Sequence, residues 1–463
     1  MLRFPSAALL AALCAAPLAA QSYSHGISLA GLGNGAPGRS FGIAYEPTQD
    51  RIYVAICGDF LTPNDVVAVI DPSTDTVIGT IQVGLFPEDI AFHYDLQGNL
   101  IYGMVTDSTS GSLTVWDTAL QPVATVPLPD PFGFGSCYPF GVVVEGAHAW
   151  VGTVDGSGAV YAIDLNTLQE NPLLSRTHAG LSYGRLHVAN GELWMPASRY
   201  TPSFSGSGGG LARRPLYGAT AETLLTGFSD GAFRFPAGQD LARVSDGRAF
   251  LGGTWFDGRI QVLDAGGNLL RSIQTGGSSA QGLAVDAGET LLAAADVAED
   301  KVHLVDLGDE TALAEIGVGA WGSQPNDVLL LNGKLYVTCQ GSEEILVFDN
   351  LPSSGGPAAH DGTLIVSNTS PAPGGTVQVD LNGYPGLPVT LLSATGLGGG
   401  SFQGLGLALD SSATLRATGS GALSASFQVP ARAALRGRTV FLQGVVDAGA
   451  ATATTWPATV VVQ

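Results

Sequence analysis

At 463 residues, with 45% hydrophobic and only 13% charged side chains, the chain is too apolar for intrinsic disorder and too sparsely charged for a coiled coil. Forty acidic against 19 basic residues give a net charge of −21, which repels phosphate backbones and anionic lipid and argues against nucleic-acid and membrane-surface partners. Fourteen basic and 36 acidic residues fall between Gln21 and His360 and four of each follow, so two different bodies are expected.

Residues 1–20 carry one base, Arg3, an apolar run and small residues before Gln21, the layout of a secretory signal peptide; the run is too short to span a bilayer. The expected mature protein is exported, monomeric and free of membrane spans. Export permits disulfides, but Cys57, Cys137 and Cys339 are odd in number and lie in no zinc-like spacing, so buried free thiols are the simpler expectation.

From residue 26 onward the chain repeats. Two apolar residues precede Asp71, Asp117, Asp164, Asp264 and Asp349, and Val305 precedes Asp306; the successive gaps are 46, 47, 100, 42 and 43 residues, so one copy has lost its Asp. Apolar anchors open the copies at Ile43, Ile90, Val142, Leu186, Leu241, Leu283 and Val328, and each copy divides into four short β-branched and aromatic segments separated by turns such as Asn190-Gly191 and Asn332-Gly333. Seven four-stranded copies predict an all-β, seven-bladed β-propeller over residues 21–350. Residues 26–30 read as a further strand that closes the ring as the outer strand of the seventh blade. The recurring Asp is expected to bond its own turn.

Tyr336-Val337-Thr338-Cys339 and the run from Val77 to Gly84 followed by Pro87 resemble YVTN-type propeller repeats, over about residues 24–350. Trp116-Asp117 gives a single WD-like copy. The fourth copy departs from the pattern, with Gly210-Leu211-Ala212-Arg213-Arg214 where the third strand and its Asp belong. The resemblance implies an exported bacterial repeat protein.

Residues 351–362 read as a Pro/Gly/Ser linker, and seven strand-like runs in 363–463 predict a small immunoglobulin-like β-sandwich.

Strand alternation places the longest connections, 58–64, 128–140, 200–210 and 227–236, on one face. That face is expected to be acidic, through Asp59, Asp65, Asp107, Asp155, Asp257, Asp296, Asp300, Glu343 and Glu344, and to recognise an extracellular protein or polysaccharide with Phe132, Phe134, Tyr138, Tyr200, Phe228 and Phe233, together with Arg185. The two positions before each anchor face the channel. The nearer reads Gly42, Asp89, Gly141, Arg185, Asp240, Gly282, Asp327; the farther, Phe41, Glu88, Phe140, Gly184, Gln239, Gln281, Asn326. Glu88, Asp89, Asp240, Asn326 and Asp327 offer the oxygen ligands a calcium ion takes, whereas water and backbone amides are the bland alternative. A non-catalytic binding role is the main expectation. The rival is similarity to propeller lactonases and lyases, which implies a divalent ion at the channel mouth acting on a carbonyl or a water; no nucleophile, phosphate-loop or zinc-protease motif accompanies it.

Overall fold

In the computed structural model, residues 22–351 are described apart from 134, 201–205, 218–223, 227–236 and 255–257, and beyond 351 the backbone of separate strands only. Contacts divide the chain into two compact units, Met1–Pro352 and Ser353–Gln463.

The first unit is a ring of seven antiparallel sheets, with the strands in sequence order from the channel outward in blades one to six. Blade one, for example, is Ser40–Glu46, Arg51–Gly58, Pro63–Asp71 and Thr76–Gln82. The middle strands of the blades are almost wholly buried, because both faces of each pack against neighbouring blades, and the outermost strands alternate with solvent. The cores accordingly lie between blades: Ile52, Val54 and Ile56 of blade one pack with Tyr336, Ile345 and Val347 of blade seven.

The seventh blade is completed from the other end of the ring. Ser22–Ser28 pairs antiparallel with Glu344–Asp349 as the expected closing strand, beginning four residues and ending two residues earlier than 26–30. A second tie reinforces it, since the buried Asp75 carboxylate in a blade-one turn receives Lys334 Nζ at 2.5 Å, the Tyr336 hydroxyl at 2.7 Å and His25 Nε2 at 3.3 Å, all from blade seven.

The recurring Asp is structural. Asp71, Asp117, Asp164, Asp264 and Asp306 each accept the amide two residues on, at 2.7–2.9 Å, which fixes the turn.

Blade four differs. Its inner strand is split into Leu181–Tyr183 and His187–Ala189, both paired with Glu192–Tyr200, and the break faces Pro196, which has no N–H to give to the ladder. The stretch 206–210 belongs to its third strand, Gly206–Pro215, not to the long loop expected at 200–210; a run of Gly and Ser offers no alternation to read.

In Ser353–Gln463 the strands pair in one continuous order: Thr363–Ser367, Thr376–Asn382, Ala422–Gln428, Thr414–Ser420, Pro388–Ala394, Thr439–Asp447, Thr452–Thr454, with Ala458–Val461 also on Thr439–Asp447.

Candidate functional site

Five of the seven inner strands slip register just before their anchors, between Ser40 and Ile43, Pro87 and Ile90, Pro139 and Val142, Gly238 and Asp240, and Pro325 and Asp327. A bulge leaves residues out of the ladder and re-aims them. That repeated slip is why the two columns before the anchors meet at the ring's centre.

There the nearer column joins the blades. Asp89 Oδ2 accepts the Val142 amide of blade three at 2.8 Å, Asp240 Oδ2 the Leu283 amide of blade six at 2.8 Å, and Asp327 Oδ2 the Ile43 amide of blade one at 2.9 Å. Beside two of these latches a threonine adds a second bond, Thr106 to the Phe140 carbonyl at 2.7 Å and Thr338 to the Phe41 carbonyl at 2.6 Å. At three other junctions, between blades one and two, three and four, and six and seven, glycine allows the close approach. A Cβ on Gly42, Gly141 or Gly282 would run into the next blade's backbone, at the carbonyls of Glu88, Gly184 and Asn326. Between blades four and five the Arg185 amide donates to the Gln239 carbonyl at 2.8 Å.

One cation balances the three acids. Arg185 Nη1 lies 2.5 Å from Asp327 and 3.3 Å from Asp240, and its Nε lies 3.6 Å from Asp89. Carboxylates from blades two, five and seven thus converge on one guanidinium, supplied by blade four. Burial opposes the charge on Arg185, but Asp327, Asp240 and Asp89 outweigh it and raise its pKa. Burial pushes Asp89 up to about 6 against the pull of Arg185, and raises Asp327 in the same way. At Asp240 burial is overcome by Arg185 and by His187, whose Nε2 is 3.3 Å away, and the carboxyl is held below its usual range.

Asp89, Asp240 and Asp327 are engaged by neighbouring amides, and the positive charge they face is the guanidinium. Among the described residues no group of three or more His, Cys, Asp or Glu side chains is arranged to hold a metal ion. Glu88 and Asn326 stand one residue before Asp89 and Asp327 in their strands.

The loop face is also less acidic than its sequence. Asp107, Asp155 and Asp296 turn inward and are buried: Asp107 binds Ser112, Thr114 and the Gly84 amide, Asp155 binds Thr153 and Ser157, and Asp296 binds His303, Ser279 and the Ser278 amide. They fasten connections to the blades. Asp59, Asp65 and Asp300 remain partly accessible and Glu343 exposed, while Asp257 lies outside the described residues.

What this face does expose is apolar. Phe60 is 74% and Leu61 93% accessible in the connection after Arg51–Gly58, Leu85 37% between blades one and two, and Phe132 48% between blades two and three. The connections that carry these side chains are tied to their neighbours: Phe60 stacks on buried Phe86 at 4.7 Å between ring centres, the Thr109 amide donates to the Leu85 carbonyl, and Ser136 reaches the Ser108 carbonyl at 2.5 Å. Both tips are preorganised. Asp59 accepts the amides of Leu61 and Thr62, and Asp130 those of Phe132, Gly133 and Gly135. Of the aromatics expected to bind, Phe132 is on this patch and Tyr138 is half-buried at its edge. Phe134, Phe228 and Phe233 lie outside the described residues, as does the side chain of Tyr200. Phe60, Leu61 and Leu85 escaped the sequence reading; the signal was an apolar pair held inside the Asp59-to-Thr62 turn.

The three described cysteines are buried free thiols, with Cys137 and Cys339 pushed up to about 12 by burial, so none is poised as a nucleophile.

The comparisons agree on architecture. A chain of Kuenenia stuttgartiensis hydrazine synthase matches with a TM-score of 0.52 at 15% identity, covering 68% of this chain and 97% of that one. The WD40 β-propeller domain of Doa1 matches with a TM-score of 0.50 at 11% identity, covering 71% of this chain and 96% of that one. The fold is a seven-bladed β-propeller. At such identities the likeness concerns fold alone. No family model and no curated protein matches the sequence. Among the described residues no helix is long and apolar enough to cross a membrane.

Proposed function

We propose that this propeller is an exported binding protein of the YVTN-repeat type that takes an extracellular ligand on the loop face of blades one to three. The observation that carries the reading is the group Phe60, Leu61, Leu85 and Phe132, apolar side chains held out to solvent by turns that their own Asp59 and Asp130 stabilise. Leaving such side chains exposed gains nothing for folding, and contiguous exposed apolar surface with rigid support marks interaction sites. The signal-like composition of residues 1–20 supports export, and the strand-rich Ser353–Gln463 unit is proposed as an immunoglobulin-like spacer or adhesive module. No contact at the channel favours a lactonase or lyase, and three of the acids assigned to that chemistry, Asp89, Asp240 and Asp327, are engaged between blades.

The test is capture from the envelope and polysaccharide fractions of the producing cell by the full chain and by a Phe60→Ser, Leu61→Ser variant. Capture by the parent and loss by the variant is expected. Equal capture by both overturns the reading.

A further inference from the structure

Two buried polar atoms near the channel's loop-face end have no partner. Glu88 is 4% accessible and its Oε2 makes no hydrogen bond; Asn326 is 1% accessible and its Nδ2 makes none, although its Oδ1 receives Gln281 Nε2 at 2.5 Å. They occupy the same position in blades two and seven, on either side of Phe41 of blade one. Phe41 packs edge-on to Phe140 at 5.5 Å and lies 6.5 Å from Phe86, the ring on which exposed Phe60 stacks. One residue further along the inner strands lie Arg185 and its three aspartates.

An unpaired polar group so deeply buried costs about 1–3 kcal/mol, so each of the two calls for a partner. The surrounding charges restrict what that partner is. A cation meets the Arg185 guanidinium, and an anion meets Asp89, Asp240 and Asp327. Burial and the neighbouring Asp89 push the Glu88 carboxyl well above its usual range, against Arg185 and Ser108, so Glu88 itself offers little charge to either. A hydroxyl accepts from Asn326 Nδ2 and either accepts from or donates to Glu88 Oε2, whichever form the carboxyl takes. Aromatic C–H surface beside such groups suits the apolar face of a sugar ring.

We propose that the channel mouth between Glu88 and Asn326 is a binding site for a neutral, hydroxyl-rich ligand, a sugar residue at the end of a glycan. This rests on the reading of the loop face as a binding surface and supplies its ligand class.

The experiment is saturation-transfer NMR and thermal shift on the full chain with glucose, galactose, mannose, N-acetylglucosamine and their disaccharides, beside inorganic phosphate and spermidine. At least one sugar should bind and neither charged control should. Glu88→Leu and Asn326→Leu should each weaken that sugar at least about tenfold. Should either variant misfold, the parent decides: bound sugar protons should give NOEs to the rings of a phenylalanine-labelled sample. No sugar binding, binding undiminished in folded variants, or a bound sugar with no phenylalanine NOE overturns the proposal. Envelope capture that survives Asn326→Leu but is lost with Phe60→Ser, Leu61→Ser overturns the sugar site and leaves the loop-face reading standing.

Discussion

The channel ring and the loop face of blades one to three use side chains against expectation. At the ring, acids that suggested metal chemistry bind amides of adjacent blades and one shared guanidinium. On the loop face, Phe and Leu, ordinarily core formers, stand in water while Asp59 and Asp130 fold the turns beneath them. Residue type alone did not separate structure from function; whether a group's bonding is completed within the fold did. The contrast makes opposite forecasts for the two regions, stability at the ring and binding at the face.

The largest effect is expected from the closing strand. Deleting residues 22–28 strips Glu344–Asp349 of its partner and removes the His25 contact to Asp75, leaving an open sheet edge in the last blade. The truncated protein should aggregate during expression, as followed by size-exclusion chromatography. A monomer with the parental melting curve would show that the ring closes by other means.

Arg185→Met comes next. It leaves three buried carboxylates facing one another without a counter-charge, and removing one partner of a buried ionic group costs about 3–5 kcal/mol. Urea unfolding measures it; a loss under about 1 kcal/mol would mean that the acids do not depend on the arginine.

A smaller effect follows from pH. Burial lifts Asp107 to about 7, against its bonds to Thr114 and Ser112, and Asp89 to about 6, both from an ordinary 3.8. The folded state therefore binds these protons more tightly than the unfolded chain. Their contribution to stability is full below about pH 4 and is lost as pH rises through 6 to 7. Asp240 and Asp296 act oppositely: their folded carboxyls are held below the usual range, and their contribution is lost as pH falls below about 4. The melting temperature should peak near pH 5 and fall toward pH 8, and Asp107→Asn should flatten that fall. A melting temperature that climbs from pH 5 to 8 would contradict the assignment.

Much of this architecture was legible in the sequence because a propeller repeats its signals. Seven anchors, the turn-forming Asp and a spare N-terminal strand sufficed for the ring and its closure. The columns before the anchors were also legible as positions, yet their use was not. The amides that Asp89 and Asp327 accept belong to Val142 and Ile43, 53 and 284 residues away in sequence, and the bulges that aim them leave no compositional mark. The inward turn of Asp107, Asp155 and Asp296 was hidden for the same reason: their partners are local hydroxyls and amides whose geometry only the fold supplies. Phe60 and Leu61 were overlooked because apolar residues in a loop ordinarily pack it down.

The measurement that bears most directly on this division is made on one variant, Phe60→Ser with Leu61→Ser, read for stability and binding together. Unfolding free energy should change by less than about 1 kcal/mol, since both side chains are largely in water and only the Phe60–Phe86 stacking is lost. Capture of the envelope ligand should fall at least about tenfold, as when an interface loses its apolar anchors. Undiminished capture by a variant that remains folded would contradict the account.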